Sequence, residues 1–104
     1  MGKRITFIGG GNLASSLIKG LIAKGYDKEA ISMSEPSEKQ RELLSAQFEI
    51  KTYADNHEAV KEAQIIVLAV KPQVLKTVVE DLAKDLSHRP LIISVAAGLR
   101  ISFI

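Results

Sequence analysis

The sequence contains no cysteine, and this absence excludes disulfide bonds, thiolate metal sites and a thiol nucleophile. The net charge is only +2 at pH 7, which is too small to indicate binding to nucleic acid or to an anionic membrane surface. The longest apolar run, residues 65–70, is far shorter than the roughly 20 residues that a membrane-spanning helix needs. The first four residues lead directly into a predicted strand instead of a signal peptide, so we expect a cytoplasmic protein that binds neither nucleic acid nor membrane.

Patterns of catalytic and metal-binding residues are also scarce. His57 and His88 lie in polar segments, and no acid–histidine–nucleophile set or metal-ligand spacing accompanies them. We therefore predict that both are surface residues, and we predict neither a metal site nor a catalytic residue in this chain. The sequence does contain 46% hydrophobic and 25% charged residues in a length of 104, which is typical of one globular domain with one core.

A glycine-rich stretch from Ile5 to Ala14 organises the rest of the sequence. It indicates a buried strand, a tight turn and the start of a helix, and Gly9-x-Gly11-x-x-Ala14 matches the dinucleotide-binding fingerprint. Gly9 permits the sharp turn, Gly11 lets a pyrophosphate approach the backbone, and Ala14 lets the helix pack closely on the strand. The N–H groups and the positive dipole end of the helix would then face the anion. The alternative is a strand–turn–helix corner with no ligand.

Strand and helix patterns alternate along the chain. Predicted strands cover residues 5–8, 31–34, 49–53, 64–70 and 91–97, and a helical pattern follows each of the first four. Residues 99–104 form too short a segment to assign. The alternation predicts an α/β fold of the Rossmann type over residues 1–104: a doubly wound parallel sheet of five strands in the order 3-2-1-4-5, with helices on both faces. A ligand is expected at the switch between strands 1 and 4.

Glu35 lies 21 residues after Ala14, at the predicted end of strand 2. An acid at that place in a Rossmann fold binds the ribose hydroxyls of NAD, whereas the alternative is an exposed loop acid with no ligand. Hydroxyl and cationic side chains nearby would instead suit the 2′-phosphate of NADP, so the sequence leaves both cofactors open: Ser34, Ser37, Lys39 and Arg41.

A second group of candidate residues follows strand 4, beside the expected switch point: Ala69, Val70, Lys71 and Pro72. A cation at the start of a helix opposes the helix dipole, so a cofactor contact explains Lys71 better than a solvated surface position does. Asn56 follows strand 3, where it either meets the adenosine side of the cofactor or serves simply as a helix-start residue.

Three segments together resemble the pyrroline-5-carboxylate reductase family: FIGGGNLA at 7–14, AVKPQ at 69–73 and IISVAAG at 92–98. The resemblance covers essentially all 104 residues, in the same order and spacing. It implies a reductase of proline biosynthesis that uses NADPH or NADH. Such an enzyme reduces the C=N bond of 1-pyrroline-5-carboxylate by hydride transfer and gives L-proline.

Transferred position by position, the resemblance implies cofactor contacts in four places. These are the pyrophosphate turn, the ribose or 2′-phosphate end, the adenosine side and the approach to the nicotinamide. With the fingerprint and the strand 4 segment included, the candidate set is Gly9, Gly10, Gly11, Asn12, Leu13, Glu35, Ser37, Asn56, Ala69, Val70, Lys71, Pro72 and Ala97. Many relatives have a small hydroxyl residue in place of Glu35. Because the Glu35 anion would repel a 2′-phosphate, we predict a mild preference for NADH.

The resemblance also implies a second, helical domain that is absent from these residues, builds a homo-oligomer and supplies most of the substrate pocket. We therefore expect the chain to be the cofactor-binding half of the reductase and to be inactive by itself. Two other interpretations stay open. One is the cofactor domain of another NAD(P)-dependent reductase, of the F420-dependent NADP reductase or β-hydroxyacid dehydrogenase type. The other is a dinucleotide-binding module without catalysis.

Overall fold

The computed structural model describes residues 3–9, 12–70, 72–88, 90–96 and 99–103. Within these residues the strands are β1 (Ile5–Ile8), β2 (Ile31–Ser34), β3 (Lys51–Tyr53), β4 (Ile65–Leu68), β5 (Leu91–Ala96) and β6 (Leu99–Phe103). The α-helices are α1 (Asn12–Ala23), α2 (Glu38–Phe48), α3 (Asn56–Ala59) and α4 (Pro72–Leu82). Short 3-10 helices at Lys28–Ala30 and Ala83–Asp85 complete the chain order. No helix in the described part of the chain is long and apolar enough to cross a membrane.

The strands form one sheet in the order β3-β2-β1-β4-β5-β6. The pairs among β1 to β5 are all parallel, which confirms the predicted order 3-2-1-4-5. β6 extends the sheet beyond the prediction by pairing antiparallel with β5. An antiparallel neighbour needs only a short turn, so β6 gives no crossover helix by which the sequence would have revealed it.

One face of the sheet packs against α1 and α2 through apolar side chains. Phe7 and Met33 come from the central strands and are 1% and 0% exposed. Ile18 of α1 and Phe48 of α2 belong to the same buried cluster. Because side chains alternate along a strand, the neighbours of these strand residues point to the opposite face.

The opposite face is apolar under α4 and rich in hydroxyls under α3. Ile66 and Leu68 pack with Leu82 of α4 in a second buried cluster. Under α3, in contrast, Thr6 Oγ1 lies 2.9 Å from Ser32 Oγ. Thr6 Oγ1 also donates a hydrogen bond of 3.1 Å to the carbonyl of Ala59, which ties the end of α3 to β1.

Several element boundaries are tighter than the sequence patterns suggested. The predicted strand 49–53 begins only at Lys51, because Glu49 ends α2 in the left-handed region at φ 58°. Helix α3 stops at Ala59, whereas its helical pattern extends to residue 63. Val60 and Ala63 are nevertheless buried as the pattern predicts, in the turn that leads to β4. Apolar periodicity therefore reported burial correctly and helix length incorrectly.

Candidate cofactor-binding site

Parallel pairing brings the carboxyl ends of β1 to β4 to one edge of the sheet. Ile8 lies opposite Ser34 on one side and Leu68 on the other, and Ser34 lies opposite Tyr53. The residues that follow each strand therefore emerge side by side. In open α/β sheets this edge is where ligands bind, at the point where the strand order reverses.

The glycine turn after β1 is held against the ends of both neighbouring strands. Gly9 has φ +93°, a conformation that side-chain-bearing residues rarely adopt. A Cβ at Gly9 would lie 2.8 Å from the carbonyl oxygen of Ala69 and 3.1 Å from Cγ1 of Val70. The Gly9 N–H donates to the carbonyl of Ser34 at 3.0 Å. The turn thus requires glycine for its backbone conformation and for the close approach of β4, and it brings Gly9, Ala69 and Val70 together as predicted.

The remaining candidates around the turn lie outside the described residues or at the first turns of α1 and α4. Gly10, Gly11, Lys71 and Ala97 are outside the described residues, so their predicted cofactor contacts stay predictions. Asn12 and Leu13 open α1, and Pro72 opens α4, as the sequence suggested for these helices. The first turn of α1 carries no acidic residue. A carboxylate there would repel a bound phosphate, so the start of this helix is electrostatically compatible with the pyrophosphate of a dinucleotide.

The loop after β2 is braced by its own residues and by residues of β3 and α2. The Glu35 N–H donates to the carbonyl of Tyr53 at 2.8 Å, and Glu35 Oε2 accepts the Ser37 N–H at 3.0 Å. Arg41 Nη1 donates to the carbonyls of Glu35 and Pro36, at 2.8 and 3.0 Å. Glu35 is therefore located at the edge expected for a ribose-binding acid, within a loop whose backbone is fixed from two sides.

The predicted phosphate-binding group of hydroxyls and cations is only partly accessible. Ser34 is 0% exposed, so its hydroxyl is not accessible to a 2′-phosphate and drops out of that group. Ser37 Oγ accepts the Gln40 N–H at 3.3 Å and caps α2, as the Ser37-x-x-Gln40 spacing predicts. Arg41 is engaged with loop carbonyls, whereas Lys39 is exposed on α2.

Asn56 is the first residue of α3 and is half-buried at the same edge. Asp55 caps this helix by accepting the His57 N–H at 3.0 Å. The Ser34 hydroxyl donates a hydrogen bond to Asn56 Oδ1. Sequence reasoning placed Asn56 near the adenosine and missed its link to Ser34, since the two residues are 22 positions apart and meet only through strand pairing.

His57 is not the free surface residue that its polar surroundings suggested. Its side chain is 33% exposed, with Nε2 3.1 Å from Asp81 Oδ2 and Nδ1 bonded to Asp85 Oδ2. The hydrogen bond that the ring donates to Asp85, together with the charges of Asp81, Asp85 and Asp55, raises the pKa of His57 against the opposing effect of burial. Asp81 and Asp85 are four residues apart, which places them on one side of a helix, but they follow α3 by more than 20 residues. Nothing in the local sequence therefore indicated that they pair with His57. His88 is exposed as predicted, and its Nε2 lies 2.9 Å from the carbonyl oxygen of Ala63.

The described side chains offer no alternative metal chemistry. Among the residues whose positions are described, no group of three or more histidine, aspartate or glutamate side chains is arranged to hold a metal ion. The assembled features are a glycine turn, the start of a long helix, a ribose-edge acid and a half-buried amide. Together they suit a ligand that combines phosphates with a nucleoside.

Comparison with known sequences agrees with this geometry. The family described as "NADP oxidoreductase coenzyme F420-dependent" matches residues 4–98. The pyrroline-5-carboxylate reductase of Pseudomonas aeruginosa is 46% identical over 96 residues, which are 92% of this chain and 35% of the relative. That of Vibrio alginolyticus is 43% identical over 101 residues, covering 96% of this chain and 37% of the relative. The chain thus spans little more than a third of the length of these relatives, and the resemblance inferred from the three sequence segments is confirmed.

Solved structures show the same likeness. A pyrroline-5-carboxylate reductase from Coxiella burnetii is 40% identical with a TM-score of 0.86, covering 92% of this chain and 36% of that chain. Plasmodium falciparum pyrroline carboxylate reductase, solved with NADP bound, is 29% identical with a TM-score of 0.77. That match covers 95% of this chain and 35% of the Plasmodium chain. These similarities confirm the Rossmann-type architecture.

Proposed function

Since this chain belongs to the family of coenzyme F420-dependent NADP oxidoreductases, we propose that it is the cofactor-binding domain of a pyrroline-5-carboxylate reductase. The observation that carries the proposal is the 46% identity over 96 residues to a reductase of that name. The family description by itself also suits the runner-up, a reductase that acts with coenzyme F420. The repeated naming of relatives at 32–46% identity as pyrroline-5-carboxylate reductases favours the first interpretation.

The division of labour between domains is part of the proposal. Residues 1–104 would bind the dinucleotide, and a second, helical domain would supply the substrate pocket and the contacts of a homo-oligomer. The support is that the chain covers 35% of the Pseudomonas relative, together with the resemblance to a two-domain family. A cytoplasmic location belongs to the same proposal and rests on the same resemblance to enzymes of amino-acid biosynthesis.

The role of this chain in the reaction would be to bind and orient the cofactor. A bound NADPH or NADH supplies the hydride that reduces the C=N carbon of 1-pyrroline-5-carboxylate, and the nitrogen gains a proton. The backbone at the start of α1 would hold the pyrophosphate, while Glu35 and Asn56 would contact the nucleoside half. Lys71, Val70 and Ala97 would lie toward the nicotinamide. No residue of the chain is assigned as a proton donor.

Titration of the chain with NADPH and NADH tests cofactor binding. Gly11→Val should abolish detectable binding, because a branched side chain would occupy the space through which the pyrophosphate reaches the backbone. Gly20→Val is the matched control, since a Cβ at Gly20 meets nothing within 4 Å on the exposed side of α1. Equal affinities of the wild type and the Gly11 variant would overturn the proposed site.

Enzyme assays separate the candidate functions. The chain alone should not form proline at an enzymatic rate, and turnover on the order of 10 per second would contradict the proposed division between domains. A full-length protein that carries this chain should oxidise NAD(P)H with 1-pyrroline-5-carboxylate. Activity with coenzyme F420 instead would favour the runner-up, and binding with no activity in either assay would favour a non-catalytic module.

We further propose a mild preference for NADH. Glu35 is an anion at the ribose edge, and a like charge on a 2′-phosphate a few ångströms away costs about 1–4 kcal/mol, with salt favouring the low end. The expected preference is about tenfold, equivalent to about 1.4 kcal/mol. The guanidinium of Arg41, which reaches back from α2 to the Glu35 carbonyl, would offset part of the repulsion.

Paired affinities test the role of Glu35. Glu35→Ser should shift the balance toward NADPH, whereas Glu38→Ser changes the net charge equally on the neighbouring first turn of α2 and should leave the balance unchanged. A wild-type preference for NADPH that the Glu35 variant does not alter would show that the cations at the start of α2, Lys39 and Arg41, govern selectivity instead.

A further inference from the structure

The last residue of β2 contacts two parts of the candidate site at once. The carbonyl of Ser34 accepts the N–H of Gly9 at 3.0 Å, so its backbone supports the glycine turn. Its hydroxyl donates to Asn56 Oδ1, so its side chain holds the amide at the start of α3. Ser34 is wholly buried, which excludes a direct contact between its side chain and a ligand. Any influence of this hydroxyl on binding must therefore act through Asn56.

The hydrogen bond fixes which end of the Asn56 amide is available to a ligand. A primary amide has one oxygen that accepts hydrogen bonds and one NH₂ group that donates them. With Oδ1 occupied by Ser34, the NH₂ group is the end turned away from β2. We propose, resting on the proposed function, that Ser34 is a positioning residue that makes Asn56 a hydrogen-bond donor to an acceptor atom of the dinucleotide.

The rest of α3 is held independently of this contact. Asp55 caps its first turn through the His57 N–H, and Thr6 Oγ1 bonds to the carbonyl of Ala59 at its end. Removing the Ser34 hydroxyl should therefore release the amide while the helix stays in place. An amide that is free to rotate presents its oxygen as well as its NH₂ group, and part of the binding energy is then lost in reorienting it.

A double-mutant cycle on cofactor affinity tests the coupling. Ser34→Ala, which leaves the Asn56 amide unoriented, and Asn56→Ala, which removes the amide, should each weaken cofactor binding. The expected loss is about fivefold, as for one weakened hydrogen bond. The double variant should bind no more weakly than Asn56→Ala alone, because the hydroxyl acts only through the amide. Additive losses, or an unchanged affinity in Ser34→Ala, would overturn the inference. A wild type that binds neither cofactor would overturn the proposed function as well.

Two further variants make the result specific. Ser32→Ala is the matched control, since Ser32 lies on the same strand and face but bonds to Thr6, away from the edge of the sheet. The Ser32→Ala variant should bind the cofactor with the affinity of the wild type. Asn56→Asp keeps an oxygen for Ser34 and replaces the NH₂ donor with an acceptor, so it should bind at least as weakly as Asn56→Ala. Wild-type affinity in Asn56→Asp would show that the oxygen faces the cofactor. Because position 56 is only half-buried, Asn56→Asp tests the proposal even if Ser34→Ala fails to fold.

Discussion

Strands β1 and β2 contribute to both faces of the sheet, but the contacts they make beneath α1 and α2 differ in kind from those they make beneath α3. On the first side, Phe7 and Met33 pack against helices through apolar contacts that have no preferred direction. On the second side, the alternate residues Thr6 and Ser34 bond to α3, and Ser32 is hydrogen-bonded to Thr6. Apolar burial is roughly proportional to area, whereas a hydrogen bond specifies which atoms meet. The first region therefore supplies stability, and the second fixes the position of a short helix at the edge of the site.

The largest expected effect lies on the apolar side. Phe7→Ala should lower the free energy of unfolding by about 3–5 kcal/mol, because it leaves a cavity in the centre of a closed core. Leu43→Ala on α2 is the control, since Leu43 is 56% exposed and should change stability by about 0.5 kcal/mol or less. Urea-induced unfolding measures both. A loss for Phe7→Ala no larger than that for Leu43→Ala would contradict the assignment of stability to this side.

A smaller effect is expected on the hydroxyl side. Thr6→Val keeps the shape of a residue that is 2% exposed but leaves the carbonyl of Ala59 without the threonine donor, which should cost about 1–2 kcal/mol of unfolding free energy. Thr77→Val on the exposed face of α4 repeats the substitution where no such cost should arise. Amide hydrogen exchange should localise the loss to α3. Exchange that accelerates uniformly through the sheet would show that Thr6 supports the core rather than the helix.

The two regions also differ in how far the sequence predicted them. Phe7 and Met33 lie in apolar strands whose alternation with helical segments indicated the fold and the strand order. The glycine turn was predictable because its fingerprint is contained in a few consecutive residues. The hydroxyl residues Thr6 and Ser34 alternate with the apolar residues of their strands, so the sequence indicated the face on which they lie. Their partners, however, are 53 and 22 residues away in sequence. Directional contacts between distant residues depend on register, which a local pattern does not contain.

The smallest effect expected concerns a tie between α3 and the end of α4. His57 contacts Asp81 and Asp85, and its pKa is raised above 6.5 in the folded chain. A raised folded-state pKa means that the stabilisation is fully present below pH 6.5 and is lost as the pH rises through the folded value. Asp55 adds to the effect, while Lys61, whose own pKa is raised by Glu58 and by the charges of Asp85 and Asp55, competes for the same carboxylates.

Comparing His57→Gln with the wild type at two pH values isolates this tie. The difference in unfolding free energy between the two proteins should be larger at about pH 5.5, where the imidazole is charged, than at about pH 8.5. His88→Gln is the control, because the His88 ring contacts a backbone carbonyl instead of a carboxylate and its substitution should not reproduce that pattern. If the difference in unfolding free energy between the wild type and His57→Gln is equal at both pH values, or larger at the higher pH, the ring acts through packing alone. The pairs are partly exposed, so raising the salt concentration should shrink the difference at low pH, as expected for a contact that positions α3 without contributing much to the stability of the core.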